Sequence, residues 1–165
     1  MAGNKYNLTE KKQKNPLYRT LVNPQLAEEL YQKIMVKFVV EKKYKDPDYS
    51  AQKLAKELET NSRYISAVIN LRFQDNYSQM VNEFRVKEAM YMLKDKHCER
   101  MSMEEVATQV GFSNRQSFYA AFYKRTNCTP REFRMKALAE LDALKKERSE
   151  KRKAKQAKAE ATETK

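Results

Sequence analysis

Apolar residues recur along this chain at helical spacing, and one arrangement of them occurs twice. Leu54, Ala55 and Leu58 are followed by Ile65, Val68 and Ile69; Val106, Ala107 and Val110 are followed by Phe118, Ala121 and Phe122. The copies lie 52 residues apart before the intervening turn and 53 after it, so the second turn has one extra residue. Each copy reads as two short helices packed through these positions, with a small alanine where they cross. That pattern is a helix-turn-helix, and two of them suggest a reader of two consecutive stretches of major groove.

The flanking pattern supplies the remaining elements. Asn23-Pro24 is an N-cap followed by proline at the first helical position. Leu26, Leu30, Ile34 and Phe38, with Ala27, Tyr31 and Met35 alongside, predict an amphipathic helix to about Glu41 that packs on the first motif. Asp46-Pro47-Asp48 breaks the chain, and Ser50 caps a helix from Ala51 to about Leu58. Asn61 or Ser62 caps the next, which ends near Leu71 and turns Arg63, Ser66, Ala67 and Asn70 outward. A helix from about Ser78 to Lys94 spans roughly 25 Å at 1.5 Å per residue. Its apolar positions shift from Tyr77, Met80, Val81 and Phe84 to Val86, Ala89, Met90 and Leu93. Either it serves two small cores or it is buried over one wide face.

The second motif is the better punctuated. Ser102-Met103-Glu104-Glu105 is a capping box, and Gly111 sits in the turn, where positive φ costs little. Glu59 holds the equivalent place in the first copy, so either a repeated backbone is strained there or the turn differs. Thr129-Pro130-Arg131-Glu132 is a further capping box opening a helix with Phe133, Ala137, Leu141 and Leu144. From Lys145 to Ala161 apolar spacing is lost, and the segment either extends as an exposed helix held by side-chain pairs or frays. These boundaries give a flexible arm over 1–22, a double helix-turn-helix domain over 23–136 and a basic helical or disordered tail over 137–165. Within the domain the first unit covers about 50–71, the linker helix 78–94 and the second unit 102–125.

Composition narrows the fold and the chemistry. With 2 glycines and 4 prolines in 165 residues, and abundant Lys, Glu, Ala, Leu and Met, the chain reads as all-α, with about seven helices. Its net charge of +12 favours a polyanion, either nucleic acid or an acidic membrane surface. Residues 51–134 hold 14 Lys/Arg against 10 Asp/Glu, and each flank holds 10 against 6, so most of the excess lies outside the motifs. The polar start shows no signal peptide, and Ile34 to Val40, broken by Lys37, is far shorter than the roughly 20 residues of a membrane span. Cys98 and Cys128 lie 30 positions apart without a CxxC pair, and His97 beside Cys98 is the single histidine, which argues against a zinc site. No Gly-rich phosphate loop, GxSxG elbow or histidine pair is present, and the carboxylates fall at i,i+4 spacing from lysines. The expectation is therefore a protein without catalytic residues, metal or cofactor.

The stretch from Tyr49 to Arg134 resembles the DNA-binding module of AraC/XylS-type transcriptional regulators. The resemblance rests on Val106-Ala107, Val110-Gly111-Phe112-Ser113-Asn114, Ser117-Phe118, Phe122-Tyr123-Lys124 and Thr129-Pro130-Arg131-Glu132-Phe133-Arg134. Tyr64-Ile65-Ser66, Phe84-Arg85-Val86 and Ala89 also fit. It implies seven helices, the third and sixth entering successive major grooves of double-stranded DNA. Carried over by position, the first reader presents Arg63, Ser66 and Ala67, and the second presents Arg115, Gln116, Ser117, Tyr119 and Ala120. Arg63 and Arg115 are the leading base readers, since arginine binds guanine O6 and N7 bidentately. Lys124 and Arg125 fit phosphates, while Ser113 and Asn114 either cap the sixth helix or bind phosphate.

The chain departs from the family at several places. Alanine stands at 67 and 120 where many members carry arginine, and Glu59, Asn127 and the Asp75-Asn76 region replace glycines. The arm, first helix and tail offer no pocket for a sugar or aromatic effector, so a stand-alone reader without a sensor domain is expected. The resulting expectation is a sequence-specific regulator, monomeric, placed in the bacterial cytoplasm with the nucleoid, with RNA polymerase or another regulator as a further partner. The alternatives are a low-specificity architectural DNA binder and an adaptor that binds a transcription protein.

Overall fold

A computed structural model describes residues 21–163, with side chains through Lys153. Among these residues there are seven α-helices and no strand, as the composition predicts. They are α1 (Pro24–Met35), α2 (Ala51–Glu57), α3 (Ser62–Phe73), α4 (Tyr77–Lys94), α5 (Met103–Gln109), α6 (Arg115–Thr126) and α7 (Pro130–Glu163). A π turn at Val36–Val40 and short 3₁₀ turns at Lys43–Lys45 and Lys96–Cys98 complete the path. The arm expected over 1–22 lies outside the described residues except for Leu21 and Val22, and Val22 is buried rather than flexible surface. The chain divides into two compact units whose boundary falls inside α4, between Asn82 and Glu83.

The first unit contains α1, α2, α3 and the start of α4. Asn23 caps α1 by accepting a 2.7 Å hydrogen bond from the Leu26 N–H, and Ala27, Leu30 and Ile34 bury the expected stripe. The π turn extends the winding to Val40, leaving Phe38 fully buried while Val36, Val39 and Val40 are exposed. Phe38 is surrounded by the rings of Tyr44, Tyr49 and Tyr77, with centroids 6.2–6.5 Å away. Tyr77 donates to the Tyr49 carbonyl at 2.8 Å, and Tyr49 donates to Glu57 at 3.1 Å. Burial, with the Glu57 carboxylate beside it, raises the Tyr49 phenol above its ordinary pKa. The segment before the first motif is thus part of its core. Helix α1 lies on α3, where Glu28 pairs with Arg72 and Tyr31 meets Phe73 at 6.0 Å.

The second unit contains the remainder of α4 with α5, α6 and α7. Val86, Ala89 and Leu93 of α4 join Met103, Val106, Ala107, Val110, Phe112, Phe118 and Phe122 in one buried cluster. Met80 and Val81 are buried on the first-unit side of the boundary, so the apolar shift along α4 follows the division of the chain. The Ser102–Glu105 capping box forms with both bonds, 3.1 Å and 2.7 Å, as does the Thr129–Glu132 box. Helix α7 holds to the unit through Phe133 and Ala137 and through pairing of Asp142 with Lys96. Its 34 residues continue through the segment where loss of apolar spacing leaves fraying as one alternative, about 51 Å of helix in all. Lys151 and Glu147 pair across one of its exposed turns at 2.6 Å.

Both helix-turn-helix units close their first helix with the same Schellman ending. In the first copy the Thr60 N–H reaches the Ala55 carbonyl at 2.9 Å and the Glu59 N–H reaches Lys56 at 3.2 Å. In the second, Phe112 reaches Ala107 at 2.9 Å and Gly111 reaches Thr108 at 3.0 Å. The recurring alanines therefore supply the carbonyl that closes each turn as well as a small side chain in the core. Such an ending needs a left-handed residue, and Gly111 (φ 98°) and Glu59 (φ 51°) occupy that place. Phe112 adds a buried ring after the turn where the first copy has Thr60.

The strain at Glu59 is accordingly real. Asn127 (φ 55°) meets the same requirement with a residue that tolerates it, whereas beyond α3 the left-handed residue is Gln74 (φ 58°), not Asp75 or Asn76. Left-handed geometry costs a residue with a Cβ about 1–2 kcal/mol, partly offset in glycine by the greater freedom of its unfolded chain. Glu59→Gly is expected to raise stability by about 0.5–1 kcal/mol, read from the midpoint of urea unfolding. A fall in the midpoint would show that the glutamate side chain outweighs its backbone strain.

Candidate nucleic-acid interface

Helix α3 begins at an Asn61 cap, which accepts from the Tyr64 N–H at 2.9 Å, and this sets Arg63 in the first exposed turn. Arg63 is exposed, with Ser66 and Asn70 half-buried on the same side. Ala67 is a correction: it is fully buried rather than turned outward. A helical wheel drawn from Ile65, Val68 and Ile69 places Ala67 opposite the core, but it assumes a single covered face. Helix α3 is covered on both sides, which narrows its free face to Arg63 and the partly covered Ser66 and Asn70.

Helix α6 presents a wider surface. Asn114 is its N-cap, accepting from the Ser117 N–H at 2.8 Å, so of the two roles open to this side chain the structure displays capping. Phe118 and Phe122 point inward and are fully buried. Arg115, Gln116, Ser117, Ala120 and Lys124 are exposed, and Tyr119 is half-buried. Tyr123 continues this face at 56% exposure and was not among the expected readers. Its place one turn beyond Tyr119 was visible in the spacing.

Arg115 is held in a defined position. Its guanidinium lies over the Tyr119 ring at 4.9 Å, approaches the Tyr119 hydroxyl at 3.4 Å and pairs with Glu104 of α5 at 2.8 Å. The hydrogen bond to Tyr119 and the nearby Glu104 carboxylate raise its pKa further above the ordinary range. Stacking on an aromatic face fixes the plane of the fork that reads a base edge. Glu104 opposes that use, since a carboxylate beside the fork competes for its donors. Arg125 is also paired, to Glu83 at 3.0 Å, so of the two expected phosphate residues Lys124 is the one without such a partner among the described residues.

Arg134 belongs to the support of this surface. Its Nη1 donates to the carbonyls of Glu99 at 3.2 Å and Met101 at 2.7 Å, tying α7 to the segment that leads into α5. Arg85 is buried with its guanidinium 5.5 Å from the centre of the Phe112 ring. Neither role is signalled by local spacing. Among the described residues no three His, Cys, Asp or Glu side chains group to hold a metal, and Cys98 and Cys128 are free thiols. No described helix is long and apolar enough to cross a membrane.

Two helix-turn-helix units, one exposing a polar and cationic second helix, are the architecture of a DNA-binding module. The family model described as Helix-turn-helix domain matches residues 54–136, half of the chain, and the protein belongs to this family of AraC-type helix-turn-helix domains. No curated protein matches the sequence. Solved structures share the fold. One is the C-terminal domain of the two-component response regulator yesN from Fusobacterium nucleatum, 24% identical over 63% of this chain and 98% of that one, with a TM-score of 0.54. An AraC-type transcriptional regulator from Chromobacterium violaceum is 18% identical over 70% and 96%, with a TM-score of 0.56. The DNA-binding domain of AdpA, a global transcriptional factor solved in complex with a target DNA, is 17% identical over 67% and 94%, with a TM-score of 0.58.

Proposed function

We propose that this protein is a sequence-specific regulator that reads double-stranded DNA with α6 and anchors on it with α3 and the basic flanks. The observation that carries this reading is the exposed face of α6, where Arg115 is oriented by Tyr119 beside Gln116 and Ser117. Arginine and glutamine at the start of a helix match the bidentate donor and acceptor patterns of guanine and adenine in the major groove. Arg63, with Ser66 and Asn70, gives α3 a smaller contact set, so α6 carries most of the discrimination and α3 reads an adjoining groove. Lys124 and the exposed lysines and arginines of α7 contact phosphates, which fixes register without conveying sequence.

The proposed regulator binds an asymmetric site as a monomer in the bacterial cytoplasm, with the nucleoid. It acts there with RNA polymerase or another regulator as its partner. The test is selection from random duplexes followed by competition binding at fixed salt. The selected sequence is expected to outcompete random DNA by roughly a thousandfold. A preference below about tenfold would replace this reading with the architectural one, and absence of DNA binding would leave the adaptor. Sedimentation of the free protein as a stable dimer would overturn the monomeric part alone.

A further inference from the structure

A cleft of about 420 Å³ opens in the second unit, between the segment leading into α5, the first turns of α6 and the first turns of α7. Four arginines line it, Arg100, Arg115, Arg131 and Arg134, against the two carboxylates of Glu99 and Glu104. The charges are unevenly matched. Glu104 is engaged with Arg115, while Arg100 and Arg131 are exposed and pair with no carboxylate among the described residues. Arg134 is half-buried; its Nη1 serves two backbone carbonyls, but its Nε and Nη2 are shut from water without an acceptor. A guanidinium keeps its charge even when burial lowers its pKa, and donors left unmade away from water are costly.

We propose that this cleft is an oxyanion site for a phosphate group, supplied by a DNA phosphodiester or by a free phosphate compound. Phosphate oxygens are strong acceptors arranged for the planar fork of arginine, and Arg100 before α5 and Arg131 and Arg134 of α7 line this cleft without an ion pair to a carboxylate among the described residues. Arg115 forms part of the same wall, so a free phosphate compound in the cleft competes with Glu104 for it and couples occupancy to the state of the proposed base reader. The phosphodiester source rests on the DNA-reading function proposed above; the free source does not.

The two sources separate in one set of measurements on the full chain and an Arg100→Ala/Arg131→Ala variant. Both substituted side chains are exposed, and circular dichroism checks that the helices are retained. Calorimetric titration with inorganic pyrophosphate is expected to saturate near one equivalent and to weaken at least tenfold in the variant if the source is a free compound. If it is DNA, the slope of log affinity against log salt is expected to fall by about 1.8, because two arginines no longer neutralise phosphates. Either result supports the site and identifies its source. No saturation with pyrophosphate together with an unchanged salt slope overturns it. Should the chain bind no DNA, the pyrophosphate titration decides alone: saturation that disappears in the variant supports the cleft, and its absence from the parent removes it.

Discussion

Phe118→Ala is expected to lower stability by about 3–5 kcal/mol, the largest effect of any single truncation in the second unit. Phe118 is fully buried, and its ring meets Phe112 at 5.4 Å, Phe122 at 5.6 Å and Tyr119 at 5.8 Å. Phe122 in turn meets Phe133 of α7 at 5.5 Å, so the substitution empties the middle of an aromatic series joining the α5 turn, α6 and α7. Close-packed interiors relax only partly into such a space, and the edge-to-face ring packing disappears with the buried area. Domains are stable by only about 5–15 kcal/mol, so the loss is a large fraction of the whole. Chemical unfolding followed by circular dichroism reads it directly. A change under about 1 kcal/mol would mean that the ring series is not the centre of this core.

The parts of the fold set by local chemistry were legible in the sequence. Caps at Asn23, Ser50, Ser102 and Thr129 depend on a side chain and a backbone N–H about three residues away, and each forms as its spacing predicts. The doubled apolar pattern marked both motifs, and the comparison of Gly111 with Glu59 located a strained residue from spacing alone. Ala67 was misread because periodicity reports which residues avoid water only when one side of a helix is covered. The pairing of Arg115 with Glu104 was invisible because it joins two helices whose crossing brings the charges together. The same is true of Arg134, whose partners are carbonyls of a distant loop and carry no residue signature. Sequence therefore singled out Arg115 as a candidate reader but neither the ring that orients it as a contact nor the carboxylate that restrains it.

That restraint decides how Arg115 should be tested. Arg115→Glu is expected to weaken binding to the selected DNA site by at least a hundredfold. A bidentate arginine contributes about 1–3 kcal/mol of discrimination, and reversal adds repulsion from the phosphates; about 2.7 kcal/mol already corresponds to a hundredfold. Arg115 is exposed, so the loss of its surface pairing with Glu104 should lower stability by no more than about 1 kcal/mol, far too little to unfold the variant. Arg115→Lys separates base reading from charge, because a lysine keeps the attraction for phosphate but lacks the planar fork. It should retain binding to random DNA while losing much of the preference for the selected site. Glu104→Gln supplies the opposite sign: with its partner neutralised, the fork is freed and affinity should rise, most at low salt. Equal losses on selected and random DNA in Arg115→Lys would place the residue on a phosphate and move the sequence reading to Gln116 and its neighbours on α6.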